Sequence, residues 1–362
     1  MISKCKSKNN ISKSTKMEEE KYMRRCIELA KNGLCNVAPN PMVGAVIVCN
    51  GKIIGEGYHI HCGQAHAEVN AINSVKNESL LKQSTIYVSL EPCSHYGKTP
   101  PCADLIIKKQ IPRIVIGCQD PFSKVSGRGI QKLLDAGRTV TVGVLEKECR
   151  HLIDRFIVFN TQTRPFITLK WAESEDHFID KERIGGNPFI LSSPLTSMLV
   201  HKKRAEVDAI LIGRRTALLD NPLLNVRNWY GKNPIRVVLD KELSLPRSLH
   251  LFDGDIPTIV FTATRQSNTK NITYIKIDFT QNILPQIMRE LYQQKIQSLL
   301  VEGGSHLLQS FIDNDLWDEA YIEKCPQNII NGVKAPKINE KFNFSIKKHF
   351  GRAIWHYDHK KA

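Results

Sequence analysis

The chain has 362 residues, more than a single hydrophobic core supports, and 41% of them are hydrophobic, so we expect two domains. No apolar stretch is long enough to span a membrane, and none follows the N-terminal lysines. Both observations argue against a membrane protein or a secretory signal and favour the cytoplasm. The net charge of +15 would suit nucleic acid, but five lysines lie within residues 1–16, and the remaining positive excess suits a small anionic substrate equally well.

The first ordered element is predicted just after this basic head. Residues 1–16 contain no acidic residue and are of low complexity, and we expect them to be disordered. Apolar residues with helical spacing follow from residue 17 and stop at Asn32-Gly33. Pro39 and Pro41 then hold Asn40 in extended or turn geometry, because proline disfavours the helical conformation of the residue before it.

Strands and helices alternate from there to about residue 150. Asn50-Gly51 predicts a two-residue hairpin turn between strands at 42–49 and 52–58. Further strands are predicted at 85–90, 113–118 and 139–143, and helices after His66, at 102–109 and at 129–136. This order predicts one α/β domain over residues 17–150, with a mixed sheet and helices on its faces.

Within this domain, two of the ten cysteines follow a histidine and a glutamate in a recognisable order. The His66-x-Glu68 pair precedes Pro92-Cys93 and then Cys102, and zinc deaminases of bases carry such a pattern. One histidine and two thiolates leave the fourth tetrahedral position of zinc open for water. We therefore predict zinc ligands at His66, Cys93 and Cys102, with Glu68 as the proton carrier. Most other cysteines should be reduced thiols, because they lack the spacing of a disulfide scaffold.

The pattern leaves alternatives open. Eight residues separate Cys93 from Cys102, where the general deaminase signature has two, and a buried histidine with two inert thiols would also explain the residues. The rival ligands are His59, His61, Cys62 and His95. Residues two apart on a regular helix point to nearly opposite sides, so His66 and Glu68 can share a pocket only at a helix start.

The second half of the chain predicts another α/β domain. A polar helical segment is predicted over 145–160 and ends in the linker-like residues 161–165, so that 151–165 connect the two domains. The second domain itself is expected over 166–362. Strands are predicted at 166–172, 207–213, 235–240, 258–262, 274–277, 298–301 and 319–322, and helices at 193–206, 282–294 and 305–314. Gly303-Gly304 lies between a strand and a helix, where free amides can hold phosphate, and a simple tight turn is the alternative explanation. The Gly-x-Gly-x-x-Gly fingerprint follows no predicted strand.

Several short motifs run through both halves of the chain. The first half carries APNPMVG (38–44), AHAEV (65–69), EPCSHYGKTPPC (91–102), QDP (119–121) and GRG (127–129). The second half carries KWAES (170–174), DAILIG (208–213), Thr216, DNP (220–222) and EGG (302–304). Together these motifs resemble one family, the bifunctional riboflavin biosynthesis deaminase/reductases. The resemblance implies a cytidine-deaminase-like three-layer domain followed by a dihydrofolate-reductase-like domain. It also implies zinc-dependent deamination of a diaminopyrimidinone carrying a ribosylamino 5′-phosphate, then NADPH-dependent reduction of the ribosyl group to ribityl.

The same resemblance implies roles for individual residues. In the first domain Asn40, His59 and Lys98 would contact the substrate. In the second domain, substrate would face Pro188, Arg204, Leu224, Arg227 and Glu302. NADPH would lie against Ala172, Ile190, Thr216, Asp220, Gly304 and Ser305. The family often has Asp-Gly where this chain has Asp176-His177, and commonly a tryptophan at the position of Ile190.

Two other functions are compatible with parts of the sequence. A tRNA adenosine deaminase with a C-terminal binding module would bind RNA with strong salt dependence. A structural zinc protein would instead need a closed site, with His95 or Cys62 as fourth ligand. We expect small phosphorylated pyrimidines as substrates, no stable nucleic-acid partner, no membrane and a homo-oligomer. Candidates for selecting the extra phosphate of NADPH are Arg214, Arg215 and Arg265.

Overall fold

The computed structural model describes residues 13–95, 100–121 and 126–359, with side chains from residue 16 onward. The chain divides into two compact units, Met1–Ile157 and Val158–Ala362. Most of the basic head predicted to be disordered lies outside the described residues. Residues 13–16 are helical and open helix α1 (Lys13–Lys31), because no proline or glycine separates them from the helix-forming residues that follow.

The first unit is built on a five-stranded mixed sheet. Its strands are β1 (Gly44–Cys49), β2 (Lys52–Tyr58), β3 (Thr85–Leu90), β4 (Arg113–Cys118) and β5 (Thr139–Val142). The order across the sheet is β2-β1-β3-β4-β5. β1 is antiparallel to β2 and β3, whereas β3, β4 and β5 are parallel. The predicted mixed sheet after an opening hairpin is confirmed.

Helices cover both faces of this sheet and make a three-layer unit. They are α1, α2 (Ala67–Asn73), α3 (Cys102–Lys108), α4 (Arg128–Asp135) and α5 (Glu146–Leu152), with a 3-10 helix at Glu78–Gln83. Alternate residues of a strand point to opposite faces. Ala45 and Ile47 accordingly join the core beneath α2, α3 and α4, whereas Val46 and Val48 join the core beneath α1 and α5.

The division between the units falls within a helix, α6 (Asp154–Gln162). Most of the segment expected to connect the domains, 151–165, is helical, because α6 covers it as far as Gln162. The second unit continues with β6 (Phe166–Glu173), β7 (Phe178–Lys181), α7 (Pro194–Ala205), β8 (Ala209–Ile212), α8 (Arg214–Asp220), β9 (Ile235–Leu239), a 3-10 helix (His250–Phe252), β10 (Thr258–Thr262), β11 (Ile272–Lys276), α9 (Ile283–Gln293), β12 (Ser298–Gly303), α10 (Ser305–Asp313), β13 (Glu319–Lys324), β14 (Gly332–Lys334), β15 (Phe344–His349) and β16 (Arg352–Asp358).

Nine of these strands form one sheet in the order β11-β10-β9-β8-β12-β6-β13-β16-β15. The strands from β11 to β13 in this order are parallel, and β16 and β15 are antiparallel additions at one edge. β7 and β14 pair separately. The predicted α/β class of this unit is confirmed, and its parallel strands place several carboxyl ends along one edge, where ligands bind in open α/β sheets. None of the described helices is long and apolar enough to cross a bilayer.

Candidate zinc site and reductase cavity

Three predicted metal ligands meet where two helices begin. His66 is the N-cap of α2, Cys102 is the first residue of α3, and Cys93 follows β3. The Nδ1 atom of His66 lies 3.6 Å from Cys93 Sγ and 3.4 Å from Cys102 Sγ, and the three donor atoms lie within 4.8 Å of one another. Ligands of one tetrahedral zinc ion, at about 2.0–2.3 Å from it, would be about 3.6 Å apart. The donor set and spacing therefore fit zinc.

The rival ligands do not join this group. In the part of the chain that the structure describes, no other His, Cys, Asp or Glu completes a metal cluster with them. Cys62 and His95 are exposed, and both ring nitrogens of His59 have other partners. A site with three protein donors leaves the fourth coordination position of a zinc ion open, as catalytic zinc sites do.

The two thiols differ in their affinity for a proton. Hydrogen bonds from Cys102 and His66 lower the pKa of Cys93 to about 4. One of these contacts is the backbone N–H of Cys102, 3.3 Å from Cys93 Sγ. The pKa of Cys102 is raised, because its thiol donates to Cys93 and is buried. These contacts favour the thiolate of Cys93, the form that binds metal.

Glu68 lies at the second position of α2, beside His66, and its side chain is 3% exposed. The prediction that both residues sit at a helix start is confirmed. Burial, followed by the nearby charge of Cys93, raises the pKa of Glu68 to about 7. A carboxyl with such a pKa can take up and release a proton at neutral pH, as a general acid–base group must.

Asn40 and His59, predicted to contact substrate, are hydrogen-bonded to each other beside the ligands. The Nδ1 atom of His59 faces the carbonyl of Ala65 at 3.1 Å, and its Nε2 atom lies 3.0 Å from Asn40 Nδ2. Burial lowers the pKa of His59, so its neutral ring donates from Nδ1 and accepts at Nε2. Asn40 must then donate with its amide nitrogen, and its side-chain oxygen, which bonds to no residue that the structure describes, can accept from an amino group. Lys98 lies outside the described residues.

Sequence reasoning missed Glu91, a buried carboxylate two residues before Cys93. Its Oε1 accepts the backbone N–H groups of Gly129 (2.9 Å) and Ile130 (3.3 Å), and its Oε2 accepts those of Gly127 (3.0 Å) and Asp120 (3.2 Å). A carboxylate with four backbone donors ties the segment after β4 to the loop that carries Cys93. These partners are 29 to 39 residues away along the chain, so no local pattern reveals them.

We expect Glu91→Gln to destabilise the first unit by about 2–4 kcal/mol, because the new amide would face two backbone donors that each lose an acceptor. Calorimetry of the full chain should show a lower melting temperature for the unfolding of the first unit. Glu148→Gln, an exposed glutamate of α5, is the matched control and should leave the melting curve unchanged. An unchanged transition in Glu91→Gln would contradict this role.

The second unit contains a cavity of about 710 Å³ at the carboxyl ends of β6, β12, β8 and β9. All six predicted cofactor residues line it: Ala172, Ile190, Thr216, Asp220, Gly304 and Ser305. Of the predicted substrate residues, Pro188, Arg204 and Glu302 line it too. Leu224 and Arg227 are not among the described lining residues, and the Leu224 side chain is 2% exposed in the core. Their contact with substrate stays a prediction.

A charged group lies at one end of this cavity. Arg204 makes a two-pronged ion pair with Glu302, with Nε to Oε1 at 2.9 Å and Nη2 to Oε2 at 2.6 Å. Burial alone would raise the pKa of Glu302, but Arg204 and then Lys170 hold it below its usual value. Burial lowers the pKa of Lys170, against the attraction of Glu302. Lys170 was missed as a site residue, although a lysine within the apolar strand FITLKWA is a usable signal.

The Gly-Gly turn lies in the same cavity. Gly303 ends β12 with φ of +134°, and its carbonyl accepts the N–H of Gly213 at 2.9 Å. A Cβ on Gly304 would come 3.3 Å from Thr216 Oγ1, so a side chain there would crowd the two loops. The turn therefore keeps backbone exposed to a ligand between β12 and β8.

Comparison with families of known proteins gives a separate result for each unit. The model described as the cytidine and deoxycytidylate deaminase zinc-binding region matches residues 16–118. The model described as the RibD C-terminal domain matches residues 165–328. The zinc-binding match covers all three candidate ligands.

Whole-chain relatives agree with this division. The riboflavin biosynthesis protein RibD of Aquifex aeolicus is 37% identical over 87% of this chain and 89% of its own, and that of Bacillus amyloliquefaciens is 38% identical over 88% and 87%. The solved deaminase/reductase of Thermotoga maritima is 36% identical, with a TM-score of 0.86 over 95% of this chain and 99% of that one. This chain belongs to the RibD family of riboflavin biosynthesis proteins, with a deaminase unit followed by a reductase unit.

Proposed function

We propose that this chain catalyses two steps of riboflavin biosynthesis on one phosphorylated pyrimidine. The first unit would hydrolyse the amine of 2,5-diamino-6-ribosylamino-4(3H)-pyrimidinone 5′-phosphate, and the second would reduce the ribosyl group of the product to ribityl with NADPH. One chain of the RibD family contains both an open three-donor candidate zinc site and, in its second unit, a charged cavity. This observation supports the proposal.

In the first reaction, water replaces an amino group and ammonia leaves. Zinc held by His66, Cys93 and Cys102 would make water a nucleophile at neutral pH. Glu68 would accept a proton from the attacking water and deliver it to the departing amine. The side-chain oxygen of Asn40, oriented by His59, would accept a hydrogen bond from the pyrimidine and hold the ring in a fixed position beside the zinc ligands.

In the second reaction, hydride adds to the first carbon of the ribosyl group, the bond from that carbon to the ring oxygen breaks, and the oxygen takes up a proton, which opens the sugar to ribityl. NADPH would supply the hydride, so the protein's task is to position the reactants. Glu302 and Arg204 hold each other rigidly and would orient the sugar, and Lys170 adds a positive charge beside them. The backbone at Gly304 would lie against the cofactor.

The two other functions receive less support. The second unit matches the RibD C-terminal domain, which does not favour an RNA deaminase with a generic binding module. A closed structural zinc site needs a fourth protein donor, and the described residues offer none. A homo-oligomer stays a prediction. The cytoplasm is also proposed, since none of the nine described cysteines takes part in a disulfide, as expected in a reducing compartment.

The test is an assay of the full chain on the ribosylaminopyrimidinone phosphate, in which ammonia release and NADPH oxidation are followed separately. We expect both, and we expect zinc chelation to stop ammonia release but not the oxidation of NADPH when the deaminated product is supplied. Ammonia release at the full rate after chelation would contradict the first assignment. No NADPH oxidation on the deaminated product would contradict the second.

A further inference from the structure

One wall of the cavity in the second unit is a run of five consecutive residues, 188–192, which lies between β7 and α7. Two of its contacts lead to β13 and the residue after it. Leu191 is buried in one apolar cluster with Cys325, which directly follows β13. The other contact is polar, since the hydroxyl of Ser192 donates to Glu323 Oε2 at 2.6 Å. The position of this wall therefore depends on β13.

Glu323 is a buried carboxylate on β13, with 2% of its surface exposed. Its other oxygen, Oε1, accepts the hydroxyl of Thr196 at 2.7 Å. Thr196 belongs to the capping box that begins α7 and is itself buried. β13 pairs with β6 so that Glu323 lies opposite Ala172, which lines the cavity. Glu323 thus joins the start of α7 and the 188–192 wall to the sheet beside the cavity.

A buried carboxylate is an unfavourable support for a loop unless its charge is compensated. Two neutral hydroxyls offset only part of the free energy that the carboxylate loses when it leaves water. A positive charge lies within electrostatic reach on β6. Burial lowers the pKa of Lys170, and the negative charges of Glu302 and then Glu323 act in the opposite direction. Glu323 therefore belongs to the charged end of the cavity, where the proposed reduction places the sugar.

The hydrogen bond to Glu323 fixes the direction in which the Ser192 hydroxyl faces the cavity. A hydroxyl has one proton and two acceptor positions, whereas a carboxylate can only accept. The single proton of Ser192 is therefore directed at Glu323, and the Ser192 oxygen is left to accept a hydrogen bond from a ligand. The hydroxyl groups of a sugar are donors of the required kind.

We propose that Glu323 is a positioning residue of the reductase, which holds Ser192 so that its oxygen accepts a hydrogen bond from a hydroxyl of the substrate's ribosyl group. Glu323 is shielded from the cavity by its hydroxyl partners and acts through Ser192. This proposal rests on the proposed reductase function.

Glutamine at position 323 would reverse the Ser192 hydroxyl. The new amide nitrogen must donate to one of the two hydroxyls that donate to Glu323 in the wild type. The oxygen of Thr196 already accepts the N–H of Ser193 at 2.9 Å, so Ser192 is the hydroxyl that can turn. Its proton would then face a ligand group that also offers a proton.

The test is steady-state oxidation of NADPH by the full chain on the deaminated product, with each reactant varied while the other is saturating. We expect Ser192→Ala to raise the KM for the deaminated product about three- to tenfold, the usual effect of losing one hydrogen bond. Glu323→Gln should raise this KM at least as much. In both variants the KM for NADPH should change by less than about twofold.

A double-variant cycle tests whether Glu323 acts through Ser192. In the Ser192→Ala background, Glu323→Gln should change the KM for the deaminated product by less than about twofold, because its target is already absent. An effect that persists undiminished in that background would overturn the proposal, since a carboxylate that only supports the fold, or acts on Lys170 directly, does not need Ser192. A rise in the KM for NADPH alone would place the hydroxyl against the cofactor and also overturn the proposal.

Glu340→Gln, at an exposed glutamate in the turn before β15, is the matched control and should change neither KM. Ammonia release is measured on every preparation and should stay at the wild-type level, because the candidate zinc site lies in the other unit. If the wild type oxidises NADPH and both variants keep its KM values, the positioning role alone is contradicted. A wild-type chain that oxidises no NADPH on the deaminated product contradicts the reductase assignment, and the positioning role is overturned with it.

Discussion

Glu68→Gln is expected to abolish ammonia release while zinc stays bound. Glutamine keeps the size and the buried position of Glu68 but cannot take a proton from water or return one to the leaving amine. General acid–base groups contribute about 10²–10⁴-fold to rate, and here one residue would serve both transfers, so the loss should lie at or beyond the upper end. Ammonia release, zinc content by metal analysis and NADPH oxidation are measured on the same preparation.

The expected pattern for this variant is specific. Zinc content should remain at the wild-type level, because the variant leaves the three proposed ligands, His66, Cys93 and Cys102, unchanged. NADPH oxidation on the deaminated product should also remain, because the reductase cavity lies in the other unit. Glu148→Gln on α5 provides the matched control on the surface of the same unit. Normal deamination by Glu68→Gln would defeat the assignment of the proton carrier.

Glu302→Gln is expected to reduce NADPH oxidation on the deaminated product by on the order of 100-fold or more, since losing one partner of a buried charge pair costs about 2–5 kcal/mol. The side chain of Glu302 accepts two hydrogen bonds from Arg204 and faces the cavity. Glutamine would leave the Arg204 charge without its counter-ion. Ammonia release should be unchanged, which gives an internal control.

A double variant separates a structural role from a functional one. Replacing Arg204 and Glu302 together by methionine removes both charges and fills a similar volume, and such replacements of buried pairs are often neutral or stabilising. We expect the double variant to recover the melting temperature lost in Glu302→Gln but not the reductase activity. Recovery of both the melting temperature and the reductase activity would mean that the Arg204–Glu302 pair only supports the fold.

The sequence was sufficient to group the three candidate metal ligands, because their signal is local and their geometry is constrained. His66 and Glu68 are two residues apart, and in a helical segment such a pair can share one side only at the start, which is where α2 begins. Cys102 opens α3 directly after two prolines, as its neighbours indicated. Strands of the first sheet were also predicted within a few residues, because β3 and β4 are short continuous apolar runs.

Other features depend on contacts that no local pattern contains. β15 was missed because all six of its residues are exposed, so it has no buried face to give an apolar period. α8 was not predicted, because its seven residues make about two turns and do not form a clear helical spacing of apolar residues. The Glu91 contacts and the Arg204–Glu302 pair join residues about 30 to 100 positions apart. His177 takes a left-handed φ of 63° at the position where the family often has glycine. Because histidine stands there in place of glycine, the sequence does not indicate this backbone conformation.

X-ray absorption at the zinc edge of the purified full chain tests the central claim most directly, because it counts the atoms bound to the metal. The account predicts one zinc per chain with two sulfur neighbours at about 2.3 Å and two lighter neighbours at about 2.0–2.1 Å, one from His66 and one from solvent. The Cys102→Ser variant should show a single sulfur neighbour if it retains zinc at all. Three or more sulfur neighbours in the wild type, or full deamination by protein without zinc, would contradict the account.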